Sequence, residues 1–184
     1  PAYATYAYEN GLTSKEWETV LDGGFKACQA LIYESQQGPK AGLKLEIAAT
    51  EFCSILSDTV LGNPTAPKFN VYDIREPCDQ PPLCYDFSQA DNFLNDANIQ
   101  DILGVSGRSW GECDMLVHTY LLGDWMTNLM PNVAHILDNT DVEVLVYSGD
   151  QDWICNWRGG EAWTLDTKWA NHDEFGAQGY EDWP

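Results

Sequence analysis

The stretch Val142-Glu-Val-Leu-Val-Tyr-Ser148-Gly-Asp-Gln-Asp152-Trp-Ile-Cys155-Asn-Trp-Arg-Gly159 decides the reading of the fold. Its opening run is apolar and valine-rich, with little polar alternation. That pattern predicts one parallel strand, Val142 to Ser148, buried on both faces. Gly149 breaks the run, and carboxylates follow at once at Asp150 and Asp152. In open α/β sheets chemistry gathers just beyond the carboxyl ends of the strands. Asp150 and Asp152 therefore stand where a catalytic acid is expected, and the fold class is α/β. Asp150, nearer the strand, also reads as a turn residue bonding its own backbone.

Working outward, Ser14 predicts an N-cap before Lys15-Glu-Trp-Glu-Thr-Val-Leu21. The helix it opens runs through Cys28 to Tyr33, with a kink or break expected at Gly23-Gly24. Ser35 to Gly42 reads as a turn, and Leu43 to Leu61 as a second helix stopped by Gly62-Asn-Pro64. Apolar residues at Ile99, Ile102 and Leu103 follow helical spacing and end at Gly104. His118 and His135 lie in apolar helical runs and are expected to be core or partly buried. Tryptophans at 110, 125, 153, 157, 163, 169 and 183 crowd the second half, and large aromatics mostly build core.

Composition sets bounds. A chain of 184 residues is long enough for one domain with a real core. The net charge of -20 argues against nucleic acid and anionic membrane as partners, because both would repel it. It reads as an acidic surface, or as adaptation to an acidic compartment where carboxylate protonation relieves self-repulsion. No apolar run approaches the ~18–20 residues of a membrane helix. The chain opens at Pro1 without a basic or apolar leader, and both ends are expected to be internal to a longer protein. Six cysteines, at 28, 53, 78, 84, 113 and 155, leave all the possible pairings open at this point. Zinc is not expected, since the short Cys-x2-Cys spacing is absent, and no other metal or cofactor is implied.

Gly149-Asp-Gln-Asp152 followed by Ile154-Cys155-Asn156-Trp157 resembles the third triad element of the serine carboxypeptidases, the carboxypeptidase Y-like α/β-hydrolase peptidases. The resemblance extends to Asn70-Val-Tyr-Asp-Ile-Arg75 with Cys78, Cys84 and Tyr85, which look like the family's short Cys loop and its preceding strand. It extends further to Gly123-Asp-Trp-Met126 and to Trp169 through Trp183. It implies a partial α/β-hydrolase fold, with residues 1–69 a helical insertion or cap and residues 70–184 part of the core. It assigns Asp152 the role of orienting the catalytic His. It places Tyr72, Tyr85, Trp125 and Ile154 on the wall of the pocket for the side chain before the scissile bond, with Cys155 a free thiol at the active site. It pairs Cys28 with Cys53, which an antiparallel helix pair would bring together, and Cys78 with Cys84 across Asp-Gln-Pro-Pro-Leu. Cys113 is left without its upstream partner.

The implied activity is hydrolysis of C-terminal peptide bonds, with a preference for hydrophobic side chains, in an oxidising and acidic setting: vacuole, lysosome or outside the cell. The implied partners are a peptide or protein C-terminus and the upstream and downstream parts of the same enzyme. The family's nucleophile motif, Gly-Glu-Ser-Tyr, does not occur in the chain, and no Gly-x-His-x-x-Pro follows Asp152. Alone, the chain is expected to be inactive. Two other readings stay open: a non-catalytic binding or scaffold relative, and a compact hydrolase using Ser109, Asp152 and His172. Gly107-Arg-Ser109-Trp-Gly111 fits Gly-x-Ser-x-Gly, but a nucleophile elbow needs a buried strand before the Ser. Here the preceding spacing is helical, and His172 lies in a polar stretch that reads as surface.

Overall fold

The computed structural model describes residues 2–37, 42–63, 65–81 and 83–182. Trp183 and Pro64, both named in the sequence expectations, lie outside the described residues. Helices dominate: α1 (Ala2–Glu9), α2 (Lys15–Ser35), α3 (Gly42–Leu61), then a hairpin of β1 (Gly62–Asn63) and β2 (Ala66–Pro67). After a long irregular segment come α4 (Ser88–Leu94), α5 (Ala97–Ile102), α6 (Met115–Leu121), α7 (Met130–Asn139), α8 (Trp157–Asp166) and α9 (His172–Gly176).

α2 begins where expected, with the Ser14 hydroxyl accepting the Trp17 N–H and Glu16 and Glu18 in the first turn, where the helix dipole favours anions. α2 and α3 form the scaffold. Cys28 is bonded to Cys53, and Gly24 meets Leu56, so rising numbers on one helix match falling numbers on the other. The pair is antiparallel. Gly23-Gly24 does not break α2, which runs unbroken from Lys15 to Ser35. Gly24 serves closeness instead: a Cβ there would lie 2.7 Å from Leu56 Cδ2. α3 ends as Gly62 takes a φ of +87°, a conformation that costs glycine little. The Cys78–Cys84 bridge closes the second expected loop.

The expected strand Val142–Ser148 is the main correction. Residues 142–149 have no regular structure, and the paired strands among the described residues are the two-residue β1 and β2, antiparallel with Gly62 opposite Pro67. A parallel strand is stable only with hydrogen-bonded neighbours and cover on both faces. The described residues supply neither, so Leu145 is 70% and Tyr147 87% exposed. The α/β class is therefore not seen in these residues, which are mostly helical. Asn70–Arg75 is likewise not a strand but a pair of tight turns, bridged between Asn70 and Asp73.

One apolar cluster holds the molecule together. It joins Ala4, Tyr6 and Ala7 of α1 to Leu21, Phe25 and Cys28 of α2 and to Cys53, Val60 and Leu61 of α3, and it reaches Val71, Cys84 and Trp153. The core thus crosses residue 70 and draws the Asp152 turn onto the helical part. Away from it burial is thin. Of the tryptophans expected in the core, Trp153 is fully buried, while Trp125 is exposed and Trp110, Trp157, Trp163 and Trp169 are half-buried. His118 is half-buried as expected, but His135 is exposed, because α7 buries only Ala134.

Candidate active site

Asp152 lies on the turn between the apolar run and α8, half-buried. Its Oδ1 accepts the Cys155 N–H at 2.8 Å, so the carboxylate closes its own turn onto the backbone three residues on. The turn's other internal bond is poor, the Asp152 N–H reaching the Gly149 carbonyl at 3.4 Å. Asn156, buried, ties the turn to α8. Its Oδ1 accepts the Gly159 N–H at 3.0 Å as an N-cap, and its Nδ2 donates to the Trp153 carbonyl at 3.3 Å.

The surroundings hold this turn from three directions. The Val71 carbonyl accepts the N–H groups of Trp153 and Ile154, at 3.0 and 3.2 Å, and the Ile74 N–H donates to the Gln151 carbonyl at 2.9 Å. From α3, Ser57 Oγ accepts the Trp153 indole N–H at 3.2 Å. From α1, the Tyr6 hydroxyl donates to the Asp150 carbonyl at 2.8 Å and the Tyr3 hydroxyl to the Ile154 carbonyl at 2.5 Å. Asp150 thus takes part through its backbone, and its exposed carboxylate does not bond its own turn as expected.

Charge follows from this packing. Burial, then the nearby Cys155 and Asp152, push the Tyr3 phenol up to about 12. Burial, then Asp150, Asp152 and Asp73, do the same for Tyr6. Both hydroxyls remain donors at any ordinary pH. Burial pushes the Cys155 thiol up, and the Asp152 carboxylate adds to the rise.

Of the expected pocket wall, Tyr72 and Tyr85 come together, stacked with ring centroids 5.9 Å apart and planes at 21°. Burial, then Cys113, Glu112, Asp152 and Cys155, push the Tyr72 phenol up. Ile154 and Cys155 are exposed on the turn itself. The ring partner of Trp125 is His118, edge-on at 4.8 Å. Two cavities, of about 500 and 540 Å³, lie elsewhere. The first is bounded by α7, the 142–148 run, α8 and α9, the second by α2 and the residues around Met126.

The compact triad is not assembled. Ser109 is exposed on a loop after α5, which ends before Gly104 as its spacing predicted. The His172 ring nitrogens face the Thr167 carbonyl at 3.0 Å and Lys168 Nζ at 2.7 Å. None of Ser109, Asp152 and His172 bonds another. Sequence reasoning missed Tyr3, Tyr6, Ser57 and Asn156. Asn156 alone had a local signal, an N-cap residue three before the glycine whose N–H it accepts.

The family model described as serine carboxypeptidase matches residues 1–182. The chain is 33% identical over 165 residues to carboxypeptidase Y homolog A of Talaromyces stipitatus, covering 88% of this chain and 29% of that protein. It is 32% identical over 176 residues to serine carboxypeptidase-like 47 of Arabidopsis thaliana, covering 96% and 34%. Carboxypeptidase Y of Komagataella phaffii is 40% identical over 117 residues, covering 62% and 22%. The chain thus spans about a third of the length of the first two relatives.

Proposed function

The chain belongs to the serine carboxypeptidase family, and from that premise we propose that it supplies the acidic member of a Ser–His–Asp triad, Asp152. The triad's Ser and His come from parts of the same enzyme outside residues 1–184. The intact enzyme removes C-terminal residues from peptides by acyl transfer: the Ser attacks the last peptide carbonyl while the His takes and returns its proton. Asp152 accepts a hydrogen bond from that His, fixing its tautomer and stabilising the imidazolium. The observation carrying this reading is the Asp152 turn. Its carboxylate is held at one oxygen by the Cys155 N–H, and no side chain bonds it among the described residues.

Tyr72, Tyr85, Trp125, Ile154 and Cys155 contribute to the pocket for the side chain before the scissile bond. An aromatic and apolar wall favours bulky hydrophobic residues through area burial. The two disulfides fit an oxidising compartment, vacuolar or extracellular. Among the described residues no helix is long and apolar enough to cross a membrane.

Two measurements test this. In the longer enzyme that carries the chain, Asp152→Asn is expected to lower kcat by about 10⁴-fold, the loss typical of a triad Asp. The chain by itself should release no amino acid from a blocked dipeptide ending Phe-Leu. Turnover by the isolated chain that disappears with Ser109→Ala would overturn the reading in favour of the compact triad.

A further inference from the structure

The Asp152 turn has only two bonds of its own, one of them long, yet it is placed without a sheet beneath it. It is held from outside by the 71–74 segment, through the Val71 carbonyl and the Ile74 N–H, and by side chains of α1, at the other end of the chain. The Tyr6 and Tyr3 hydroxyls donate to the carbonyls of Asp150 and Ile154, two residues before and two after Asp152. Trp153 sits between them as a fixed pivot, with no exposed surface. Its ring meets Tyr3 edge-on at 5.1 Å and lies 6.2 Å from Tyr6. Tyr3 is itself stacked on Phe25 of α2 at 5.5 Å, and Tyr6 is fully buried, so neither phenol is free to swing away. A second tie, Glu9 with Arg158 at 2.6 Å, fixes α1 against α8.

We propose that Tyr3 and Tyr6 are positioning residues for Asp152: by fixing the two flanking carbonyls, their hydroxyls set the direction in which the Asp152 carboxylate points. This rests on the reading of Asp152 as the triad acid. The hydroxyls are separable from the packing, because Tyr→Phe keeps both rings against Trp153 and removes only the two bonds to the turn. A carboxylate misdirected by an ångström costs a catalytic hydrogen bond most of its value, and such displacements can lower rates by as much as ~100-fold.

The isolated chain offers a reading of the turn that needs no activity. The Cys155 thiol is held back by burial and by Asp152, and the other free thiol, Cys113, serves as internal reference. Timed iodoacetamide alkylation across pH should show Cys155 reacting several-fold faster in Tyr3→Phe/Tyr6→Phe, its profile moving toward that of Asp152→Asn. Cys113 and the helical circular dichroism should stay unchanged, and Tyr8→Phe, on the exposed side of α1, should behave as the parent. The single variants Tyr3→Phe and Tyr6→Phe serve if the double variant does not fold. A folded variant with the parent's Cys155 profile would overturn the proposal.

In the longer enzyme, the same pair of substitutions should lower kcat by between about 10- and 100-fold with KM unchanged. The acid limb of the kcat/KM profile should move to lower pH, because a misdirected Asp stabilises the imidazolium less and the His pKa falls. Asp152→Asn separates the two ideas. If it leaves kcat intact, the reading of Asp152 fails. If it abolishes kcat while the Tyr variants change neither kcat nor the acid limb, the positioning role alone fails.

Discussion

Two cysteines stand outside the disulfides, and their surroundings make them distinguishable. Cys28–Cys53 and Cys78–Cys84 are bonded, while Cys113 and Cys155 are free and exposed. A denatured, unreduced sample should therefore titrate two thiols, which peptide mapping should place at Cys113 and Cys155. Burial and the Asp152 carboxylate disfavour the Cys155 thiolate, and only the thiolate attacks an alkylating agent. In the native chain Cys155 should react more slowly than Cys113 at neutral pH, and its rate should rise at higher pH than for an ordinary thiol. A native Cys113–Cys155 bridge would contradict the reading. At this scale the sequence was legible where contacts are local: Gly149, Asp152 and Cys155 lie within one turn. Tyr6 and Tyr3 were not, because they reach the turn across 144 and 151 residues. No spacing rule connects positions so far apart.

At the scale of elements the same division holds, for a related reason. α2 and α3 were read from a cap, an apolar periodicity and a terminating glycine, all carried within each segment. The Val142–Ser148 strand was read from apolar content, which reports burial but not the partner that would provide it. Gly23-Gly24 predicts a kink or break because glycine weakens helices, yet the helix continues through both, with Gly24 packed closely on α3. The two glycines now separate experimentally. A Cβ at Gly23 meets nothing within 4 Å, so Gly23→Ala should stabilise the chain by about 0.5–1 kcal/mol through helix propensity. At Gly24 the same gain is opposed by repacking of Leu56, since crowding a filled interface costs about 1–3 kcal/mol. Urea midpoints should therefore rise for Gly23→Ala and rise less or fall for Gly24→Ala. Equal gains would mean that the α2–α3 contact is looser than its geometry.

For the whole molecule, the decisive quantity is surface. The accessible area is 12936 Å², whereas a compact monomer of this mass exposes about 8,900 Å². Part of that excess lies on one run. Val142, Leu145 and Tyr147 are more than half exposed in sequence order along one backbone run, whose amide and carbonyl groups pair with no strand. Exposed apolar residues on an unpaired edge are a template for association. The disulfide-bonded helices α2 and α3 and the cluster around Trp153 form a folded region that does not depend on that run. Two behaviours should follow in the isolated chain. Its helical circular dichroism should persist on heating beyond the point at which other probes change, held by the Cys28–Cys53 closure. It should also bind a hydrophobic dye such as anilinonaphthalene sulfonate while still helical, with light scattering that grows with protein concentration. Val146→Lys, which places a charge on the run and touches none of the core cluster, should reduce scattering without moving the helical melt. A sharp, reversible melt with no dye bound would show instead that the run finds cover within these 184 residues, and that the extra surface is not what limits the fold.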